Sequence, residues 1–276
     1  MNKIQSSWEL AKASFRVIQA DKELMIFPII SSISLVFVTL TFFIPSLFAG
    51  IFEESSLGVI SYVVLFLYYL AQYTVIFFFN TALMGAAMIR LQGGDPTVKD
   101  GFRIAFSRFG SILGYAAIAA TVGLILRALS RKGNLGRIVS SIFGLAWNVA
   151  TFLVVPVLAV EGVGPIEAIK RSVSHLRKSW GEQIIGNLGI GAFFGIVFFL
   201  LILLFIPIGW LVITYVQNTW AIIAMVVLMV FALVILSLIQ STLNGIYTAA
   251  VYQYATTGKS SGFFAEGLVQ QAFRPE

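Results

Sequence analysis

Residues 148–180 read NVATFLVVPVLAVEGVGPIEAIKRSVSHLRKSW. An apolar helix carries an amide, Asn148, and runs on to Gly162 fourteen residues later. A short basic amphipathic segment then follows, before the next apolar run. The outline recurs from Asn80 to Gly94 and from Asn244 to Gly258. The expected fold is therefore all-α: a polytopic membrane protein of six transmembrane helices in three repeated helix pairs. Each pair is preceded by an interfacial amphipathic helix. The whole chain, 1–276, reads as a single integral membrane domain, with repeats over roughly 1–94, 95–162 and 163–258 and a polar tail over 259–276.

Composition supports lipid as the solvent. Of 276 residues, 59% are hydrophobic and 11% charged, more apolar surface than a soluble core of this size hides. The net charge of +6 does not point to nucleic acid, because the bases sit in short clusters between long apolar runs, as membrane flanks do. Without cysteine there is no disulfide framework or thiolate chemistry. Met1 to Glu23 is charged and amphipathic, lacks the apolar core of a signal peptide, and is expected to stay in the mature protein.

Six apolar runs are expected: Leu24–Ile51, Leu57–Ile89, Ser111–Leu126, Ile138–Val160, Ile184–Val212 and Trp220–Tyr254. Three amphipathic helices precede the pairs. The first carries Ile4, Trp8, Ala11, Phe15 and Ile18; the second carries Val98, Phe102, Phe106 and Phe109; the third carries Ile166, Ile169, Val173, Leu176 and Trp180. They align on Lys12-Ala13-Ser14-Phe15, Lys99-Asp100-Gly101-Phe102 and Lys170-Arg171-Ser172-Val173. Thr97 with Asp100 reads as a helix cap, and Pro207 as a kink. With both termini inside, fourteen of the eighteen bases fall on the cytoplasmic side, which sets the expected orientation. The other four, Arg127, Arg131, Lys132 and Arg137, form an outer basic patch if the third and fourth helices cross, or the tip of a pair that only dips into the bilayer.

Candidate sites follow from the cost of polar groups in hydrocarbon. Asn80, Asn148 and Asn244, extended by Gln72, Gln240 and Tyr247, form a candidate intramembrane polar cluster. They either line a path on a pseudo-threefold axis or link helices by hydrogen bonds. Lys12, Arg16, Lys99, Arg103, Lys170, Arg171, Arg177 and Lys178 are expected at lipid headgroups. Glu161 reads as an interfacial carboxylate, solvated or paired with Lys, and His175, the one histidine, as an interfacial side chain. A single histidine and no cysteine leave no metal set and no histidine-dependent hydrolase, so neither an enzyme nor a cofactor is expected. The expected partners are membrane lipids.

The stretches Ser7-Trp8, Lys12-Ala13-Ser14-Phe15, Asp21-Lys22-Glu23-Leu24 and Phe27-Pro28 carry a resemblance, together with Trp147, Val155-Pro156, Glu161-Gly162-Val163-Gly164-Pro165 and Ala168-Ile169-Lys170-Arg171-Ser172. They resemble an uncharacterised prokaryotic family of six-helix integral membrane proteins. More distantly, the chain is similar to the membrane domain attached to some glycerophosphodiester phosphodiesterases. The resemblance implies the fold class and a bacterial inner-membrane location, and it brings no activity. Two functions stay open: a permease with a polar path between repeats, or a non-transporting scaffold or accessory subunit that binds anionic lipid or a partner.

The orientation is checked by placing single cysteines at Ser55, Ser130 and Ser260 and labelling from outside. Labelling is expected at Ser55 and Ser130 and protection at Ser260; the reverse pattern at Ser55 or Ser260 rejects the topology, and protection at Ser130 alone selects the dipping pair.

Overall fold

Every regular element among the described residues is helical, and the computed structural model describes residues 3–48, 59–178, 183–216, 218–258 and 262–263. The helices are α1 (Lys3–Ala20), a 3-10 turn (Lys22–Met25), α2 (Ile26–Phe48), α3 (Val59–Leu91), α4 (Val98–Ser107), α5 (Phe109–Ser130), α6 (Gly133–Thr151), α7 (Val154–Glu161), α8 (Pro165–Lys178), α9 (Gln183–Leu211) and α10 (Thr219–Thr257). Six stretches of the chain are long and apolar enough to cross a membrane: Lys22–Pro45, Ile60–Leu91, Phe109–Ser130, Gly133–Glu161, Phe193–Val216 and Thr219–Thr257. They correspond to the six expected apolar runs. The acidic turn at Glu53 to Ser56 lies outside the described residues, as do Trp180 and the phenylalanines of the tail beyond Phe263.

The central helix is α3, whose 33 residues extend about 50 Å and pack against α2, α4, α5, α7 and α10. One hydrophobic core joins Ala13 and Val17 of α1, Leu24 and Phe27, the second half of α3 from Ala82 to Leu91, Ala105 of α4, Tyr115 of α5, α7, Leu176 of α8, and α10 from Leu243 to Tyr252. The start of each outgoing helix and the end of each returning one therefore meet at one end of the bundle. Toward the other end, burial fades. No residue of α6 is buried, and α10 before Thr242 has none buried either, while Phe37, Ile60, Leu135, Phe231 and Trp220 stand exposed. Apolar side chains exposed on this scale require lipid around them.

The three short helices dock on the core through small residues. In α4, Gly101 and Ala105 are buried; in α8, Ala168 and Ser172 are fully buried; in α1, Ala13 and Ser14 are. Of the expected apolar faces, Ile18 and Leu176 are buried with them, while Ile166 and Phe106 lie on the exposed side. A small side chain lets the backbones approach, and the large apolar ones are left for the lipid boundary. At Gly101, a Cβ would stand 2.8 Å from the Ala82 carbonyl oxygen and 2.9 Å from Phe27 Cε1. The ring of Phe102 beside it makes edge contacts with Phe27 and Phe79. Thr97 caps α4 in a reciprocal box with Asp100, whose carboxyl is held below its ordinary range by the Thr97 hydroxyl and amide.

The expected fourth helix is two helices. Pro156 has no N–H to give and its ring crowds the carbonyl of Phe152, so the chain breaks at Phe152-Leu153. The hydroxyl of Ser172 on α8 mends the gap: it accepts from Leu153 N at 3.1 Å and donates to Ala150 O at 2.7 Å. At Pro207 the helix continues, and a π-helical turn, Val212–Val216, follows five residues later.

Replacing Gly101 by Ala is expected to destabilise the protein by about 1–3 kcal/mol in detergent unfolding, because the Ala82 carbonyl cannot yield. Gly110, with nothing within 4 Å, is the control. There the same change is expected to be neutral or to stabilise by up to about 1 kcal/mol; equal behaviour at both sites sinks the docking argument.

Candidate functional site

Two polar clasps occupy the end at which the short helices dock. The first is built on Glu161, the last residue of α7, where Gly162 turns the chain with φ +65°. That left-handed turn sends α8 back along the bundle and places Arg171 and His175, one helical turn apart, on the same side. Glu161 accepts from Arg171 Nη1 and, through Oε1, from the Tyr252 hydroxyl at 2.9 Å; His175 Nε2 lies 3.1 Å from the same oxygen. A carboxylate only accepts, so Nε2 carries the proton in this contact. The His175 ring also meets Tyr252 edge-on at 5.8 Å. One acid thus ties α7, α8 and α10 together. The side chain of Glu161 is 16% exposed and that of Arg171 42%, so the anion is inside and the cation reaches it from the wet side. Arg171 also donates to Glu167 at 3.1 Å, one turn back.

The second clasp is built on Arg90, near the end of α3. Its Nη2 donates to Asp95 at 2.8 Å and to the Ala20 carbonyl at 3.0 Å, its Nη1 donates to the Gly94 carbonyl at 3.2 Å, and its Nε stands 3.5 Å from Asp21 Oδ2. Asp21 is buried and caps the 3-10 turn by accepting from Glu23 N. Burial pushes its carboxyl above the ordinary range, and the Arg90 charge offsets this only in part. Glu23 in turn accepts from Val98 N at 3.0 Å, so α1, α3 and the start of α4 are joined.

The expected polar cluster is distributed differently. Gln72 donates to Thr39 at 2.7 Å and to Tyr68 at 3.1 Å, which makes it a link between α2 and α3. Asn80 is half-buried beside buried Thr81; Gln240 and Asn244 are half-buried on α10, and Tyr247 is buried. The Asn244 Oδ1 is shut from solvent without a hydrogen-bond partner. Asn148 is the correction. It stands exposed on α6, all of which lies before the Pro156 break and carries no buried residue, so the fold does not enclose all three amides.

Among the expected headgroup contacts, Lys12, Arg16, Lys99, Arg103 and Lys170 are exposed, with Arg103 also 3.1 Å from Asp100. Arg171, whose side chain is 42% exposed, also serves Glu161 and Glu167. The side chains of Arg177 and Lys178 lie outside the described ones. The sequence reading missed the Glu161 network, the Arg90 network and Ser172. The available signal for the first was a lone acid at the end of a long apolar run, followed by an arginine and the one histidine at helical spacing.

A family model described as a family of unknown function (DUF6159) matches residues 59–263. No curated protein matches the chain.

Glu161→Gln is expected to lower stability by about 1–2 kcal/mol in detergent unfolding, because one charged acceptor serving three donors is replaced by a neutral amide. Tyr252→Phe is expected to cost about 1 kcal/mol, and the double variant less than the sum, since both remove the same bond. Full additivity would place the two residues in separate networks.

Proposed function

We propose that this chain, which belongs to the DUF6159 family, is a non-catalytic scaffold of the bacterial inner membrane that gathers anionic lipid around a rigid basic end. The observation that carries this reading is the docking of the short helices. Their small residues are buried against the core, which fixes the helices in place, while Lys12, Arg16, Lys99 and Lys170 stay exposed. In the orientation favoured by the distribution of bases, these cations lie at the cytoplasmic headgroups, where each contributes about 1 kcal/mol toward an anionic surface.

The repeat belongs to the same reading. Gly101 lies over the Ala82 carbonyl, and Ser172 donates to the Ala150 carbonyl. Ala82 and Ala150 stand two residues after Asn80 and Asn148, so two copies of the outline are docked by their following helices at the same place. In the third short helix, α1, the aligned Ser14 is fully buried, and α1 packs on α10, which carries Asn244. This supports three helix pairs closed in a ring by three interfacial helices. Polar groups inside the bundle favour scaffolding as well, since Gln72 is spent on a helix link. A second reading, a permease, draws on the unpartnered Asn244 oxygen alone.

The test is lipid selection in mixed vesicles with spin-labelled phosphatidylglycerol and phosphatidylcholine. The protein is expected to prefer the anionic lipid, and the combined change of Lys12, Lys99 and Lys170 to Gln is expected to weaken that preference by roughly fivefold per charge. Absence of any preference, or solute flux through protein-containing liposomes that an Asn244→Leu change abolishes, replaces the scaffold with the permease.

A further inference from the structure

Arg108 differs from the other half-buried arginines. Arg90 and Arg171 each meet two carboxylates, whereas no hydrogen bond or ion pair among the described residues engages the Arg108 guanidinium. Its Nε is shut from solvent without a partner. The residue sits where α4 ends and α5 begins, and its guanidinium lies over the α7–α8 turn: a Cβ at Gly162 would stand 2.6 Å from Nη2. The neighbouring Glu161 is committed to Arg171, His175 and Tyr252. Beside the turn, Pro165 packs against Gly114 of α5, where a Cβ would be 3.0 Å from Pro165 Cγ, so the start of α8 is held against α5 next to Arg108.

A partly desolvated guanidinium without a counter-charge is costly, and its planar fork matches a tetrahedral oxyanion. The apolar residues of the same elements narrow the choice. Phe106, two residues before Arg108, is 67% exposed and Phe109, directly after it, is also exposed, both meeting Phe78; Ile166, next to Pro165, is 63% exposed. An occupant that satisfies both the cation and these apolar side chains carries a phosphate and hydrocarbon together. We infer that Arg108 binds the phosphate of one phospholipid, whose acyl chains cover Phe106, Phe109 and Ile166. The inference rests on the reading above in placing this end at the headgroups. It differs in requiring one defined site rather than a diffuse preference.

Native mass spectrometry of the delipidated full chain, titrated with phosphatidylglycerol, measures the site. One lipid is expected to bind well above the rest; Arg108→Gln is expected to weaken that first event at least tenfold, and Arg108→Lys, which keeps the charge but not the fork, severalfold. Phosphatidylglycerol retained in the presence of excess glycerol 3-phosphate is the expected result, and displacement by the soluble phosphate rejects the lipid as the occupant. Unchanged first binding in Arg108→Gln overturns the site; if that variant fails to fold, unchanged binding in Arg108→Lys does so. The Lys12, Lys99, Lys170 variant is expected to keep this one lipid while losing its general preference, so the two readings fail separately.

Discussion

The interaction on which the rest of this structure depends is the double hydrogen bond of Ser172 across the break at Phe152-Leu153. A proline six residues before the left-handed Gly162 would leave backbone groups without partners in an interior that holds no bulk water, at a cost of kilocalories each. A hydroxyl donates and accepts at once, which is what a broken helix needs, and only a helix lying against the break can supply it. The docking of α8 therefore follows from Pro156. Once α8 lies there, Ala168 and Leu176 are buried with Ser172, and Arg171 and His175 are carried to Glu161.

The same logic explains why the short helices present small residues to the core. In lipid there is no hydrophobic gain from burying one more leucine against another helix, since the tails are equally apolar; close backbone approach supplies the dispersion contacts instead. Gly101 over the Ala82 carbonyl is the extreme case, with no room for a methyl group. Large side chains such as Phe106 and Ile166 are then better used at the boundary. The bundle is consequently tight at one end, and toward the other its apolar side chains stand increasingly exposed.

The positions of the six apolar runs were legible in the sequence because a span requires about twenty uncharged residues, and that signal is one-dimensional. The cap at Thr97 and the turn at Gly162 were equally local. Faces were not. Helical periodicity locates an apolar stripe but does not say whether lipid or protein covers it, so Ile166 and Ala168 look interchangeable in sequence although one is exposed and the other buried. The exposure of Asn148 was hidden for a related reason: its depth within a run is readable, but the side of α6 it stands on is not. The Glu161 network was hidden because its members come from positions 161, 175 and 252, and no local pattern joins them.

Three kinds of cation meet at the tight end, and their surroundings differ in what they can exchange. Arg90 and Arg171 are held by carboxylates on neighbouring elements, so moving either breaks several hydrogen bonds together. Lys12, Lys99 and Lys170 are exposed, so their charges are screened and can exchange one counter-charge for another at little cost. Arg108 lies between these limits: fixed over Gly162 like the first kind, yet without an internal anion to neutralise it. A half-buried charge without a counter-charge favours any oxyanion that reaches it. The fold thus places exposed and half-buried cations on one face, with the clasps keeping the two in register.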